Sequence, residues 1–261
     1  NILFALLIFI VVNMVGLPVL TTEIGALQAD SAAQAAGLKA GDTVIDVDGI
    51  GVKKWDELSE IISQSKGRSL RITVRRDGSP LVVTVVPRLM KSTNVFGEAV
   101  EAHKIGISPA PRTVVERLNP FSAFWAGLRQ TWTVSKLTVI SIVKMFQGVV
   151  SPKTLGGPIL IAQIAGAQVR EGIIPFVLFM ALLSINLAIL NLLPVPILDG
   201  GHLLFYLIEL VTGHEVNLRW REMAQQVGFV LLVLLMLFVF VLDIGRLDIK
   251  MINDFFKMFT G

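Results

Sequence analysis

The sequence predicts a multi-span α-helical membrane protein with a small α+β domain inserted after its first span. Composition is the first observation. Of 261 residues, 53% are hydrophobic and only 16% charged, where soluble domains carry about 25% charged residues, and the mean hydropathy is +0.71. The second is segmentation: residues 1–20, 173–198 and 227–243 are apolar and nearly free of charge, and a hydrocarbon core about 30 Å thick takes about 20 helical residues to cross. The third is a change of pattern across 21–88, where short β-type runs replace the apolar stretches.

The same numbers exclude several functions. A net charge of +3, spread along the chain, gives no basic face for nucleic acid. With no cysteine, disulfides and thiolate metal sites are ruled out, so a metal would have to be held by His, Asp, Glu or backbone oxygens. The chain opens on Asn1, already inside the apolar run NILFALLIFIVVNMVGLPVL, with no basic region before it. That is not the form of a signal peptide, and a longer parent polypeptide is expected, its first span continuing upstream.

Each segment has its own justification. In 21–88, the runs TVIDVDG, LRITVRR and LVVTVVP are punctuated by Asp48-Gly49 and Asp77-Gly78, the dipeptides that tight hairpins favour. Arg71 to Arg75 alternates faces as a half-buried strand does. Two helices are expected, Ser31 to Ala36 with Asp30 or Ser31 as N-cap and Gly37 as stop, and Trp55 to Gln64 with Leu58, Ile61 and Ile62 on one face. Residues 89–120 show little periodicity and read as a linker with a short strand near Lys104–Ser108; His103 there is expected to be a solvated loop residue. In 121–170, a first part places Arg129, Thr133, Lys136, Lys144 and Gln147 on one arc, with Trp125 and Trp132 outside it. That is the layout of a helix in the membrane interface. A second part, LGGPILIAQIAGAQ, offers small residues for close helix approach. Residues 199–226 are expected to form a helix and loop, and 244–261 a tail.

The chemistry concentrates at NLLPVPILDGGH, residues 191–202. A carboxylate at membrane depth costs several kcal/mol unless paired, protonated or bound to a cation. Pro194 and Pro196 remove two backbone donors and interrupt the helix, which membranes tolerate where the chain is buried in protein or lines a watery cavity. Gly200 and Gly201 permit a sharp turn and close approach. Asn186 and Asn191 lie upstream in the same segment, available to hold an extended peptide by its backbone. On these grounds Asp199 is a metal ligand, a proton relay, half of a buried ion pair, or the cap of the next helix.

The stretch SINLAILNLLPVPILDGGHLLFYLIE closely resembles the LDG segment of the site-2 protease family, zinc intramembrane metalloproteases, and within it the bacterial regulator of sigma-E branch. IGALQADSAAQAAGLKAGDTVIDVDG is similar to a bacterial PDZ domain, and LGGPILIAQIAG also fits the family. The resemblance implies that Asp199 is the third zinc ligand. It also implies that two histidines and a general-base glutamate come from a His-Glu-x-x-His motif, and that Asn186, Asn191, Pro194 and Pro196 form a substrate-binding wall. That motif is absent here, where the histidines are His103, His202 and His214, so the chain by itself is expected to be inactive. The resemblance further implies regulated intramembrane proteolysis of a single-span substrate such as an anti-sigma factor. It implies a place in the bacterial cytoplasmic (inner) membrane with the PDZ-like domain outside, and a peptide loop at Thr22, Ile24, Gly25 and Leu27. One PDZ-like domain is present, whereas some relatives carry two.

Two other classes compete. A non-catalytic, membrane-anchored PDZ adaptor would recruit tails and cut nothing; a transporter would use Asp199 to relay protons or hold a cation. The large extramembrane domain and the few spans argue against the transporter.

Overall fold

A computed structural model describes residues 1–151, 154 and 156–246; the expected tail lies outside the described residues from position 247 onward. The chain divides into two compact units, one formed by residues 13–119 and the other by 1–12 with 120 onward.

In the first unit, β1 (Leu17–Leu20), β2 (Ile24–Leu27), α2 (Ala32–Ala35), β3 (Thr43–Val47), β4 (Ile50–Gly51), α3 (Trp55–Gln64), β5 (Leu70–Arg76) and β6 (Ser79–Val85) follow in order. An antiparallel sheet runs β4-β3-β5-β6. Both Asp-Gly pairs make two-residue hairpin turns: Val47 faces Ile50 and Arg76 faces Ser79. Each of the four turn residues has positive φ, the type I′ geometry that matches strand twist. Ser31 caps α2 by accepting from Gln34 N at 3.2 Å, and Glu57 turns back to accept from the backbone of Lys53 and Lys54 at 3.0 and 3.3 Å. Leu58 and Ile62 of α3 pack with Ile24, Val44, Ile72 and Ile105 in the core.

Two expectations are corrected here. Residues 16–20 do not continue the first helix: α1 covers Ile2–Val15 and β1 follows at once, paired with β10 (Thr113–Glu116). The stretch 89–120 is not a linker, because besides β10 it holds β7 (Arg88–Thr93), β8 (Ala99–Lys104) and β9 (Ile107–Pro109). The β7–β8 hairpin closes over Asn94, whose side-chain oxygen accepts from Phe96 N and Glu98 N. Most of both strands is exposed or half-buried, so neither shows the apolar alternation by which a strand is recognised.

In the second unit, α4 (Pro120–Phe146), α5 (Pro158–Glu171), α6 (Ile173–Asn191), α7 (Asp199–Thr212) and α8 (Leu218–Ile244) accompany the start of α1. Among the described residues, α6 and α8 are the helices long and apolar enough to cross a membrane; α1 is apolar but shorter. Helix α8 begins nine positions before the expected start at 227. Asn217 caps it by accepting from Arg219 N at 2.9 Å, and the charges of Arg219, Arg221 and Glu222 hide this first part from hydropathy.

Polar and small residues fix the helices to one another. Gly127 of α4 lies so close to α1 that a Cβ would fall 2.9 Å from Ile10 Cγ1. Ser184 of α6 donates to Asn1 O at 2.9 Å, and Thr138 of α4 donates to Asn186 of α6. Helix α4 is thus packed against other helices, with Ala123, Gly127 and Thr131 buried while Trp125 and Trp132 remain exposed. On α5, close approach occurs at Gly157, against Asp243 and Val239, whereas the space beside Gly166 is open. Arg221 pairs with Glu209, joining α8 to α7.

Asp42 gives the first unit a pH-dependent element. Its buried carboxylate accepts from Arg76 Nε and Nη2, each at 2.7 Å, and from Lys39 N at 2.8 Å. The Arg76 hydrogen bonds hold its pKa below the ordinary carboxylate value against the opposing effect of burial. A depressed folded-state pKa means stability that is present above about pH 4, the unfolded value, and lost as pH falls through the lower folded value. Asp42→Asn is expected to cost about 1.5–3 kcal/mol at pH 7 and to flatten the acid limb. Thermal unfolding of native and variant chains in detergent between pH 7 and 3 checks both.

Candidate functional site

Helix α6 ends where its sequence runs out of donors. Leu192 N reaches back to Ala188 O and Ile189 O, both at 3.1 Å, and Leu193 N bonds Leu190 O at 3.1 Å. Pro194 and Pro196 have no N–H to continue the ladder. Two tight turns follow, Val195 N to Leu193 O at 2.7 Å and Leu198 N to Val195 O at 2.8 Å. The chain then enters α7, with Leu198 as the N-cap and no side-chain cap bond.

The reversal depends on two glycines. A Cβ on Gly200 would run into the carbonyls of Leu192 and Leu193, and one on Gly201 into the Val195 carbonyl and Pro196 Cα. Both residues are buried. Their backbone fills the space inside the turn, so α7 starts directly against the end of α6.

Asp199 is the first residue of α7 and is exposed. It does not cap the helix, and among the described residues its carboxylate has no hydrogen-bond or ion-pair partner. Its negative charge lies where the α7 dipole favours it. An exposed carboxylate held at a fixed point is free to bind a cation or a polar group. Among the described residues no group of three or more His, Cys, Asp or Glu side chains could hold a metal ion. The described residues alone do not make a zinc site. His202, one turn further on, is also exposed; it lines a separate, mainly apolar cleft in which Ile197, Phe229 and Val230 stand beside Glu222, Gln225 and Gln226.

The other expected residues are placed in different ways. Pro194 and Pro196 line an apolar cleft of about 430 Å³ with Trp220, Met223, Val227 and Leu231 of α8. Asn186 and Asn191 lie five residues apart on α6, about 140° around the helix, so they do not share a face. Asn186 Oδ1 accepts from Thr138 Oγ1 at 2.8 Å, while Asn191 ends the helix, half-buried.

The peptide loop expected at Thr22, Ile24, Gly25 and Leu27 is corrected. Thr22 is buried and donates to Val44 O at 2.5 Å, and Ile24 is fully buried in the core. The β2 backbone is engaged on both sides, by β9 along one edge and by Asp42 and Gly41 at Ile24 along the other. A Cβ on Gly25 would meet Pro109 O at 2.6 Å. None of these residues lines the nearby groove. The groove itself, about 240 Å³, lies between α3 and the segment Ala102–Ile107, with Leu58, Ile62, Ile105 and Ile107 as its apolar lining and Gln28, Ser59 and His103 among its polar groups. His103 thus stands in β8 beside this groove and not in a loop.

Two site-shaping residues escaped the sequence reading. Thr138 carried no signal. Asp243 did, as a carboxylate at the edge of an apolar run like Asp199. It is 1% exposed and accepts from Gly157, Ile159 and Leu160 N at 2.9–3.2 Å, with Arg246 at 3.2 Å, tying the start of α5 to the end of α8.

Residues 1–235 match the model of peptidase family M50. The chain belongs to peptidase family M50. Regulator of sigma-E protease RseP of Escherichia coli K12 is 38% identical over 222 residues, covering 85% of this chain and 49% of that protein. Its Salmonella typhimurium counterpart is 38% identical over 232 residues, 88% of this chain and 51% of that protein. A Campylobacter jejuni protein, classed provisionally by its name as a zinc metalloprotease, is 34% identical over 247 residues, 95% of this chain and 66% of that one. The chain thus spans about half the length of the first two relatives. Among solved structures, the PDZ domain of the SdrC-like protein of Listeria innocua is similar over 35% of this chain and 96% of that one, at 21% identity and a TM-score of 0.28.

The glycine packing yields a paired expectation. Gly201→Ala is expected to destabilise the second unit by about 1–3 kcal/mol through overpacking. Gly166→Ala, in a helix with open space beside it, is expected to be neutral or to stabilise by up to about 1 kcal/mol. Thermal unfolding of the two variants in the same detergent checks the contrast.

Proposed function

We propose that this chain is part of a zinc-dependent intramembrane endopeptidase that cleaves a single-span membrane protein in regulated intramembrane proteolysis. The observation that carries the reading is Asp199, an exposed carboxylate, unpaired among the described residues, held at a fixed point where a membrane-length helix is broken. Membership of a peptidase family and the names of its relatives support it. In this reading Asp199 is one of three zinc ligands, and two histidines and a general-base glutamate come from a His-Glu-x-x-His motif elsewhere on the natural chain. A zinc ion bound there supplies a water with a pKa of about 7, able to attack a peptide bond at neutral pH.

This chain's own residues receive the substrate. A helical span hides its peptide bonds in its own hydrogen bonds and has to unwind before attack. Its released carbonyls and N–H groups then need partners, since an unsatisfied one costs several kcal/mol in hydrocarbon. Asn186 and Asn191 offer amide groups along α6. The cleft at Pro194 and Pro196 offers an apolar surface for side chains. The groove between α3 and the segment Ala102–Ile107 takes an extended segment of the partner. The protein sits in the bacterial inner membrane as a multi-span protein, with the PDZ-like unit on the extracytoplasmic side. Its substrate is an anti-sigma-factor-like protein with one span.

A membrane-anchored adaptor would share the groove but leaves Asp199 without a role. In the natural full-length protein, Asp199→Ala is expected to reduce cleavage of a single-span test substrate to background while leaving the protein folded and membrane-inserted. Cleavage at the native rate by that variant would refute the protease reading and favour the adaptor.

A further inference from the structure

Asn186 is held by a neighbour that no sequence motif marks. Thr138, half-buried on α4, donates its hydroxyl proton to Asn186 Oδ1 at 2.8 Å. Hydroxyls inside helices commonly donate to the carbonyl four residues back, and α4 shows two such cases, Thr131 to Gly127 O at 2.9 Å and Ser141 to Leu137 O at 2.8 Å. Thr138 departs from that pattern and spends its proton across the helix pair.

A carboxamide has an acceptor edge and a donor edge. With its oxygen engaged by α4, Asn186 has its amino group left to offer. Among the described residues that group donates to nothing, and it is not sealed from solvent. An asparagine with no such tie turns freely, whereas this one is held with its amino group left outward.

We propose that Thr138 is a positioning residue for substrate: by engaging Asn186 Oδ1 it presents the Asn186 amino group as a donor to a main-chain carbonyl of an unwound, membrane-spanning peptide. The proposal rests on the reading of α6 and the turn after it as a substrate wall. It gives α4 a part in recognition, although α4 carries none of the family's motif residues.

The test is a mutant cycle in the natural full-length protein reconstituted in bilayers, with a single-span substrate carrying a Gly-Pro pair in its span. Thr138→Val keeps the branched shape and removes the hydroxyl; Thr138→Ser restores it. Thr138→Val is expected to lower kcat/KM about five- to tenfold, the range of one hydrogen bond, with most of the change in KM. Thr138→Ser is expected to stay within about twofold of native. Combined with Asn186→Ala, Thr138→Val is expected to cost nothing beyond Asn186→Ala alone, because the two act as one unit.

Additive losses in the double variant, a native-like Thr138→Val, or a Thr138→Ser as poor as the valine variant would each overturn the proposal. If Thr138→Val does not accumulate folded, Thr138→Cys replaces it, with an activity expected between those of valine and serine; native activity there counts against the proposal. Asp199→Ala is run alongside. Cleavage by that variant sinks the protease reading itself, whereas its loss together with an inert Thr138→Val sinks the positioning role alone.

Discussion

The backbone of Gly200 and Gly201 lies against the carbonyls that end α6, in a space that would not admit one more carbon atom. That steric constraint sets the rest of the turn. Because the glycines occupy its inside, Leu192 to Leu198 reverse in two tight turns, and α7 begins with Asp199 as its first residue. The carboxylate is thereby placed by backbone packing and needs no hydrogen bond of its own. Its oxygens remain available, as a ligand's must.

Between apolar helices in lipid, burial gives little preference for one arrangement over another, so small residues and polar contacts fix the pairing. Four contacts among the described residues follow that rule. Gly127 admits α1, Ser184 reaches Asn1, Thr138 reaches Asn186, and Asp243 collects three backbone N–H groups at the start of α5. The Asp243 arrangement is a capping interaction supplied by a different helix: donors that α5 cannot satisfy internally are satisfied by a carboxylate from α8. The same carboxylate type has opposite uses in the two places, enclosed and fully bonded at Asp243, open and, among the described residues, unbonded at Asp199.

Local signals in the sequence read well where local chemistry decides the structure. The Asp-Gly turns need positive φ at both residues, and few other dipeptides supply it; α3 was legible over its whole length from its apolar face and the change of pattern at Trp55. Strands β7 and β8 were not, because most of their residues face solvent and neither carries an alternating apolar face. Helix α8 was read too short because charge, the signal used to end a span, does not end a helix. The surroundings of the expected peptide loop were hidden for a longer-range reason: the engagement of β2 depends on pairing between Ile24 and Pro109, far apart in sequence. At the candidate site, Asp199 and the prolines were legible as departures from an apolar run. Thr138 was not, since a threonine in a helix is unremarkable until its partner on another helix is known.

In the proposed function the turn holds Asp199 out as a metal ligand. The direct measurement is the zinc content of the purified natural full-length protein, native and Asp199→Ala, after dialysis against a moderate chelator. The account predicts about one zinc per native chain, by the ligand logic of a three-residue catalytic site, and its loss from the folded variant. Equal retention of zinc by the two proteins would contradict it.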